Sequence, residues 1–306
     1  MRVEDLQNFV ALAHGGSLAA AAQKTGSTQP TLSKSLARLE RAVGARLVER
    51  HSRGVRLTEA GRAMLDHAQK VELDVRDALA AVRDVRTGRA GEVRIGVGVG
   101  IPQALVTAAC KPLLDAGSLA LEIMGGMSDS LFNAVAAGEA DFAVVGVRPP
   151  DEARLSWTPL FRDPMVAVAH GSHPLVSARS VTWQVLAAQP WIVANVGTMT
   201  RAWFDRQFHD RGLAPPARIV GLRGYPMAYE LGIAISALKL VPVSTPRYAR
   251  DFLDYAQIRL PLDWKSDRSV GILARAGGYT SPAARSLRSS FERAARRLFR
   301  DAAPVQ

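Results

Sequence analysis

The segment from Ser27 to Val43 constrains this chain more than any other. Leu32, Leu36, Leu39 and Val43 are spaced by four, three and four residues, the period of one helical face. Pro30 falls in the first turn, where a missing N–H costs nothing, and Ser27 or Thr28 supplies an N-cap hydroxyl. The pattern therefore predicts a helix of about 16 residues that ends at Gly44. Its other face carries Gln29, Thr31, Ser33, Lys34 and Arg38, side chains able to hydrogen-bond base edges or phosphates. Such a helix must bury one side and present the other to water or to a polyanion.

The flanking sequence completes a small module. Leu6, Phe9, Val10 and Ala13 predict a first helix stopped by Gly15 and Gly16, and Ser17 can cap a second, alanine-rich one that breaks at Thr25-Gly26. Helix, tight turn and polar-faced helix form a DNA-reading arrangement. After Gly44, residues 47–57 read as two short strands around a turn that carries Arg50, Arg53 and Arg56. Any one of these arginines could be a plain solvated charge, but three on one hairpin beside such a helix point to phosphate contact. Charge is distributed accordingly. The chain's net charge is +11, and residues 1–57 hold nine Lys/Arg against four acids, whereas the 216 residues after position 90 hold 24 against 18. The cationic density sits in the head.

Residues 58–90 predict one long helix opened by Thr58-Glu59 and closed at Thr87-Gly88. Within it Met64, Ala68, Val71, Val75, Ala78, Val82 and Val85 form a heptad seam, which predicts pairing with a second copy, packing on its own domain being the alternative. A two-fold dimer would set two reading helices on half-sites about 34–36 Å apart, or a multiple of that, so the expected target is an interrupted palindrome in promoter DNA.

From residue 91 onward apolar strands alternate with helical segments. Val93–Val99, a helix from Pro102, Leu119–Met124, a helix from Ser128 and Asp141–Val147 predict a βαβαβ unit with a parallel sheet. A second set runs through strands near 165–169, 191–194, 218–221 and 239–243, and strand 269–274 with a last helix from Pro282 returns to the first set. The expected architecture is α/β and two-lobed, with lobe I at about 91–161 and 267–306 and lobe II at about 162–266. Ligands of open α/β sheets lie beyond the strands' carboxyl ends, where helix N-termini offer N–H groups. The candidate effector residues there are Gly100, Ile101, Pro102 and Gln103, then Met127 and Ser128, then Thr198, Met199 and Thr200, with Val147, Arg148 and Met227 as walls. Converging on one cleft, they favour a small anion such as a carboxylate or sulfonate, although each hydroxyl could equally be an ordinary cap.

The head resembles that of the LysR-type transcriptional regulators. The likeness is carried in order by Phe9-Val10-Ala11-Leu12-Ala13, Gly16-Ser17-Leu18, Ala21-Ala22, Thr28-Gln29-Pro30-Thr31-Leu32-Ser33, Leu39-Glu40, Leu47-Val48-Glu49-Arg50 and Leu57-Thr58-Glu59-Ala60-Gly61. It implies an N-terminal winged helix-turn-helix, a linker helix and a periplasmic-binding-protein-like effector domain. It implies further that Gln29, Pro30, Thr31, Ser33 and Lys34 face the major groove while Arg38 and the wing arginines hold phosphates. A homotetramer built as a dimer of dimers follows from the same resemblance, and effector binding is expected to shift the lobe angle and thereby head spacing, DNA bend and recruitment of RNA polymerase.

Two rivals are set aside. An enzyme on this scaffold would show a Gly-x-Ser-x-Gly elbow, a P-loop or a paired-histidine helix, and none is present; His170 and His173 stand in a turn-prone stretch with Gly171 and Pro174. A periplasmic solute-binding protein would need an export signal and has no use for a basic head. No cofactor or metal is expected. Cys110 is the only cysteine, no apolar run reaches the length of a membrane span, and a cytoplasmic location is expected. The six arginines from Arg285 to Arg300 lie on an amphipathic last helix and read as a solvated face rather than a second DNA contact.

Overall fold

A computed structural model of the chain describes residues 1–51, 54–87, 91–117, 119–150, 153–222, 228–245 and 254–300. It divides into two compact units, Met1–Thr87 and Gly88–Gln306.

The first unit contains α1 (Val3–Gly15), α2 (Leu18–Thr25), α3 (Gln29–Val43), the antiparallel hairpin β1 (Val48–His51) and β2 (Gly54–Leu57), and the long helix α4 (Glu59–Thr87). Phe9 and Leu12 of α1, Leu32, Leu36 and Leu39 of α3, Leu47 just before β1, and Ala68 of α4 meet in one core. Val43, the last rung of the predicted stripe, stays exposed. Of the two offered caps the chain uses Thr28, whose Oγ1 accepts the Thr31 N–H, and Ser17 caps α2 through the Ala20 N–H. The short motifs after α3 fasten the hairpin. Glu40 Oε1 accepts the Leu47 N–H at 2.8 Å, and Thr58 Oγ1 donates to the Arg46 carbonyl while accepting the Gly61 N–H. Gly61 has to be glycine, because a Cβ there would fall on the Leu47 carbonyl.

The second unit holds two five-stranded sheets. Lobe I is built on β3 (Glu92–Gly98), β4 (Ala120–Gly126), β5 (Phe142–Val145), β6 (Leu155–Arg162) and β12 (Ser269–Arg275), in the order β4-β3-β5-β12-β6. Helices α5 (Gln103–Asp115) and α6 (Ser128–Ala136) supply the crossovers. The chain then passes into lobe II, where β7 (Met165–His170), β8 (Trp191–Ala194), β9 (Ile219–Leu222), β10 (Leu238–Pro242) and β11 (Tyr255–Gln257) lie in the order β11-β7-β10-β8-β9 with α7 (Trp183–Ala188), α8 (Met199–His209) and α9 (Ala228–Ala234). It returns through β12, and α10 (Pro282–Leu298) closes lobe I by burying Leu287, Phe291 and Ala294 against Phe142 and Leu105.

The predicted βαβαβ unit is parallel as expected, and it is the strands added beside such parallel cores that run the other way. β4, β3 and β5 are parallel, as are β10, β8 and β9, but β12, β6, β7 and β11 join antiparallel. A strand that enters from the other lobe arrives at the opposite end of the sheet and so runs against its neighbours.

Candidate nucleic-acid interface and effector cleft

The polar face of α3 is available. Thr28, Gln29, Pro30, Thr31 and Lys34 are exposed and Ser33 is half-buried, while the leucines on the other side fill the core. Thr28 and Thr31 have a second engagement, since their hydroxyls lie 2.9 Å apart and hydrogen-bond each other. Arg38 is more committed than the sequence suggested. Its Nη2 reaches Asp5 Oδ1 at 2.6 Å, and the buried Ser35 hydroxyl donates to the same oxygen at 2.7 Å. Burial by itself would raise the Asp5 pKa, but hydrogen bonds from Arg38 and Ser35 outweigh it and take the carboxyl down to about 2. Arg38 therefore ties α3 to α1 and fixes the angle at which α3 stands.

In the wing, Arg56 is exposed on β2 opposite Glu49. Arg50 pairs with Val55 through the strand ladder, but its side chain lies outside the described residues, as does the whole of Arg53. Gly54 has φ +130°, and a Cβ there would strike the Gly16 carbonyl, which accepts the Val55 N–H at 2.8 Å. The wing is thus strapped to the turn between α1 and α2. On α4 the predicted seam splits. Met64 and Ala68 pack into the head's own core, whereas Val82 and Val85 are 69% and 88% exposed, with Leu79 beside them at 68%.

In the second unit the two crossing segments meet at a buried ion pair. Arg268 Nη1 donates to Asp163 Oδ2 at 2.6 Å, and Ser244 donates to the same carboxylate through its N–H and its hydroxyl at 3.0 and 2.9 Å. Asp163 is fully buried, so every lone pair it carries must be met from within. A Cβ at Gly146 would collide with the Arg268 guanidinium, which also reaches the Gly100 carbonyl. One arginine thereby touches both crossing strands and two loops of lobe I.

Two cavities share Met165, Thr200 and Arg268. The smaller, of about 80 Å³, has apolar walls that include Val99, Met127, Ile192, Leu222 and Leu240. Lys239 also borders it, buried on the central strand β10 with Nζ 4.1 Å from the Tyr255 ring centre, and burial lowers its pKa to about 8. The larger, of about 790 Å³, is bounded by Val147, Arg148, Trp157 and Arg162 of lobe I and by Met199, Thr200, Trp203 and Arg206 of lobe II.

Of the sequence-chosen effector residues, Met127, Val147, Arg148, Met199 and Thr200 line these cavities. The others have different settings. Ile101 is buried in the lobe I core, Pro102 is the N-cap residue of α5, and Gln103 is exposed on its first turn. Gly100, at φ +81°, lends its carbonyl to Arg268. Ser128 opens α6, and Thr198 is buried as the cap of α8, its Oγ1 accepting the Arg201 N–H and donating to the Asn195 carbonyl. Met227 lies outside the described residues. Sequence reasoning missed Trp157, Arg162, Trp203, Arg206 and Arg268. The only signal it had was the pair of arginines at the crossings, Arg162 before Asp163-Pro164 and Arg268 before β12. His170 ends β7 rather than lying in a loop, and His173 Nδ1 accepts the Leu175 N–H as the cap of a short 3-10 turn.

Residues 3–62 match the family described as "Bacterial regulatory helix-turn-helix protein, lysR family", and residues 86–296 match "LysR substrate binding domain". The HTH-type transcriptional regulator CfxR of Cupriavidus necator is 30% identical over 249 residues, 78% of this chain and 76% of that protein. The SDS degradation transcriptional activation protein of a Pseudomonas species is 30% identical over 293 residues, 94% of each. Among solved structures, the LysR family regulator CbnR superposes with a TM-score of 0.60 at 20% identity, over 96% of this chain and 99% of that one. Full-length CbnR has also been solved in complex with its target DNA, and that structure superposes with a TM-score of 0.53 at 22% identity over 96% and 100%. At such identities the structures speak for the fold alone. The named relatives are regulators, which removes the enzyme rival. Helix-turn-helix head, linker helix and two-lobed effector-binding domain therefore make this chain a member of the LysR family of bacterial transcriptional regulators.

Proposed function

We propose that two copies of this chain pair through the exposed apolar stripe of α4 and read an interrupted palindrome in promoter DNA. Gln29, Pro30, Thr31, Ser33 and Lys34 enter the major groove, the N-terminal turn at Thr28 approaches the backbone, and Arg38, Arg50, Arg53 and Arg56 hold phosphates. Two such dimers assemble into a tetramer through their effector domains, in the cytoplasm where promoter DNA lies. A small organic anion bound in the inter-lobe cleft shifts the lobe angle, and with it the spacing of the paired heads, DNA bend and recruitment of RNA polymerase. CbnR, a relative in fold, binds its target DNA in the crystal.

The observation that carries this reading is the two-sidedness of α3, whose leucines are the head's core while Gln29, Thr31 and Lys34 stand exposed. Fluorescence anisotropy with promoter and random duplexes tests it. Gln29→Ala should cost about 1–3 kcal/mol on the specific duplex and relax sequence preference. Arg56→Ala should weaken both duplexes alike and reduce the slope of log K against log salt by about one. Equal loss on both duplexes for Gln29→Ala would contradict the groove assignment.

A further inference from the structure

Resting on the reading of the cleft as the effector site, we propose that its ligand is a planar aromatic anion, the ring lying against Trp157 and Trp203 and the charge met by Arg162 and Arg206. Size argues first. A cavity of about 790 Å³ lies in the range of sites for ring-sized organic ligands.

Charge argues second. The described lining residues include four arginines and one acid, Asp267, and Asp163 behind Arg268 cancels one more positive charge. Arg162 on β6 and Arg206 on α8 put planar guanidinium forks on the two walls, suited to a carboxylate or sulfonate. Because Arg268 is already spent on Asp163, the anion belongs to Arg162 and Arg206.

The indoles argue third, because both are held in place before any ligand arrives. Trp157 lies over Gly271 so closely that a Cβ there would collide with its six-membered ring. Trp203 meets Trp264 edge-on, with ring centres 5.7 Å apart and planes at 83°. Each remains half-buried and borders the cavity. A fixed indole offers stacking and dispersion to a flat ring and far less to a flexible chain. Trp157 stands on β6 of lobe I and Trp203 on α8 of lobe II, so a ring that satisfies both ties its own binding to the distance between the lobes.

Calorimetric titration of the full-length protein with three probes tests the proposal: 2-naphthoate, octanoate and 2-naphthalenemethanol. The first should bind at least tenfold tighter than either of the others. Trp203→Leu should erase the preference for naphthoate over octanoate, Trp203→Phe should keep it, and Arg206→Met should weaken both anions together. Octanoate binding as tightly as naphthoate would overturn the aromatic assignment while leaving an anion in the cleft. Equal binding of the neutral alcohol would overturn the charge assignment, and no heat from any probe, or indifference to Trp203→Leu and Arg206→Met alike, would overturn the whole. None of these results touches the reading of the chain as a DNA-binding regulator, which the duplex titrations decide separately.

Discussion

The head and the inter-lobe cleft reach their geometry by opposite routes. In the head, the residues proposed to read DNA and the residues that hold them in place lie within one short stretch of chain. Thr28 caps the helix that bears Gln29, Glu40 anchors the wing seven residues on, and Thr58 locks the next helix to the same carbonyl run. In the cleft, Arg148, Trp157, Arg206 and Arg268 are brought together by two passages between lobes, pinned at the contact of Asp163 with Arg268. A local design survives local change; a convergent one depends on its pin.

The sharpest way to break the comparison is Asp163→Asn. It leaves a guanidinium that is only 9% exposed without its counter-charge, and breaking a buried pair costs about 3–5 kcal/mol. Urea unfolding followed by the five tryptophans, all of them in the second unit, should show that loss, while anisotropy on promoter DNA below the transition keeps its Gln29-dependent specificity. Replacing the pair together, Asp163→Leu with Arg268→Met, should recover much of the stability because no charge is then stranded. If Asp163→Asn unfolds no more easily than the parent, the pin is not what holds the lobes.

The matching change in the head is smaller. Gly54→Ala places a side chain at φ +130° and against the Gly16 carbonyl, a strain of about 1–3 kcal/mol. The wing can lift away from that carbonyl at the cost of the Val55 hydrogen bond. DNA affinity should therefore fall on all sequences, and the tryptophan-reported transition of the second unit should not move.

This contrast also explains what could be read from the sequence. Helix spacing, caps and glycine stops act within a few residues, so α1 to α4 and the hairpin were legible together with the residues on the exposed face of α3. The same held for the strands of the parallel cores. β6 was not foreseen because Pro159 interrupts the run Leu155–Arg162, as suits an edge strand, and the ladder slips between Val270 and Gly271 to accommodate it. β11 spans only Tyr255–Gln257, too short for any periodicity. The cleft was half legible. Helix N-termini pointed to Met127, Met199 and Thr200, but Arg162, Arg206 and Arg268 share no local pattern, and only the topology makes them neighbours. Ile101 and Thr198 show the reverse error, since a residue next to a helix start is as readily used for core or cap as for ligand.

Acid separates the two units by the smallest effect, and here the order is the test. In the second unit, burial holds the His173 pKa below its ordinary 6.5 against an opposing hydrogen bond with the Ser236 backbone. Its folded form binds fewer protons than the unfolded chain, so the stability it supports is complete above pH 6.5 and drains away as pH falls through the lowered value. In the head the titrating group is Asp5, with an ordinary value of 3.8 and a folded value of about 2. Its contribution is complete above about pH 4 and is lost only as pH falls toward 2. Because Arg38 is 40% exposed and water screens the pair, that contribution is on the order of 1 kcal/mol. Melting followed by tryptophan fluorescence should therefore fall below pH 6.5, and the difference between parent and His173→Gln should shrink over that window. The difference between parent and Asp5→Asn, read by amide exchange in α1 and α3, should stay constant until pH 4. A head that loosens between pH 6 and 5, with its Asp5→Asn difference already shrinking, would mean that Asp5 is not held by Arg38 and Ser35 as the geometry requires.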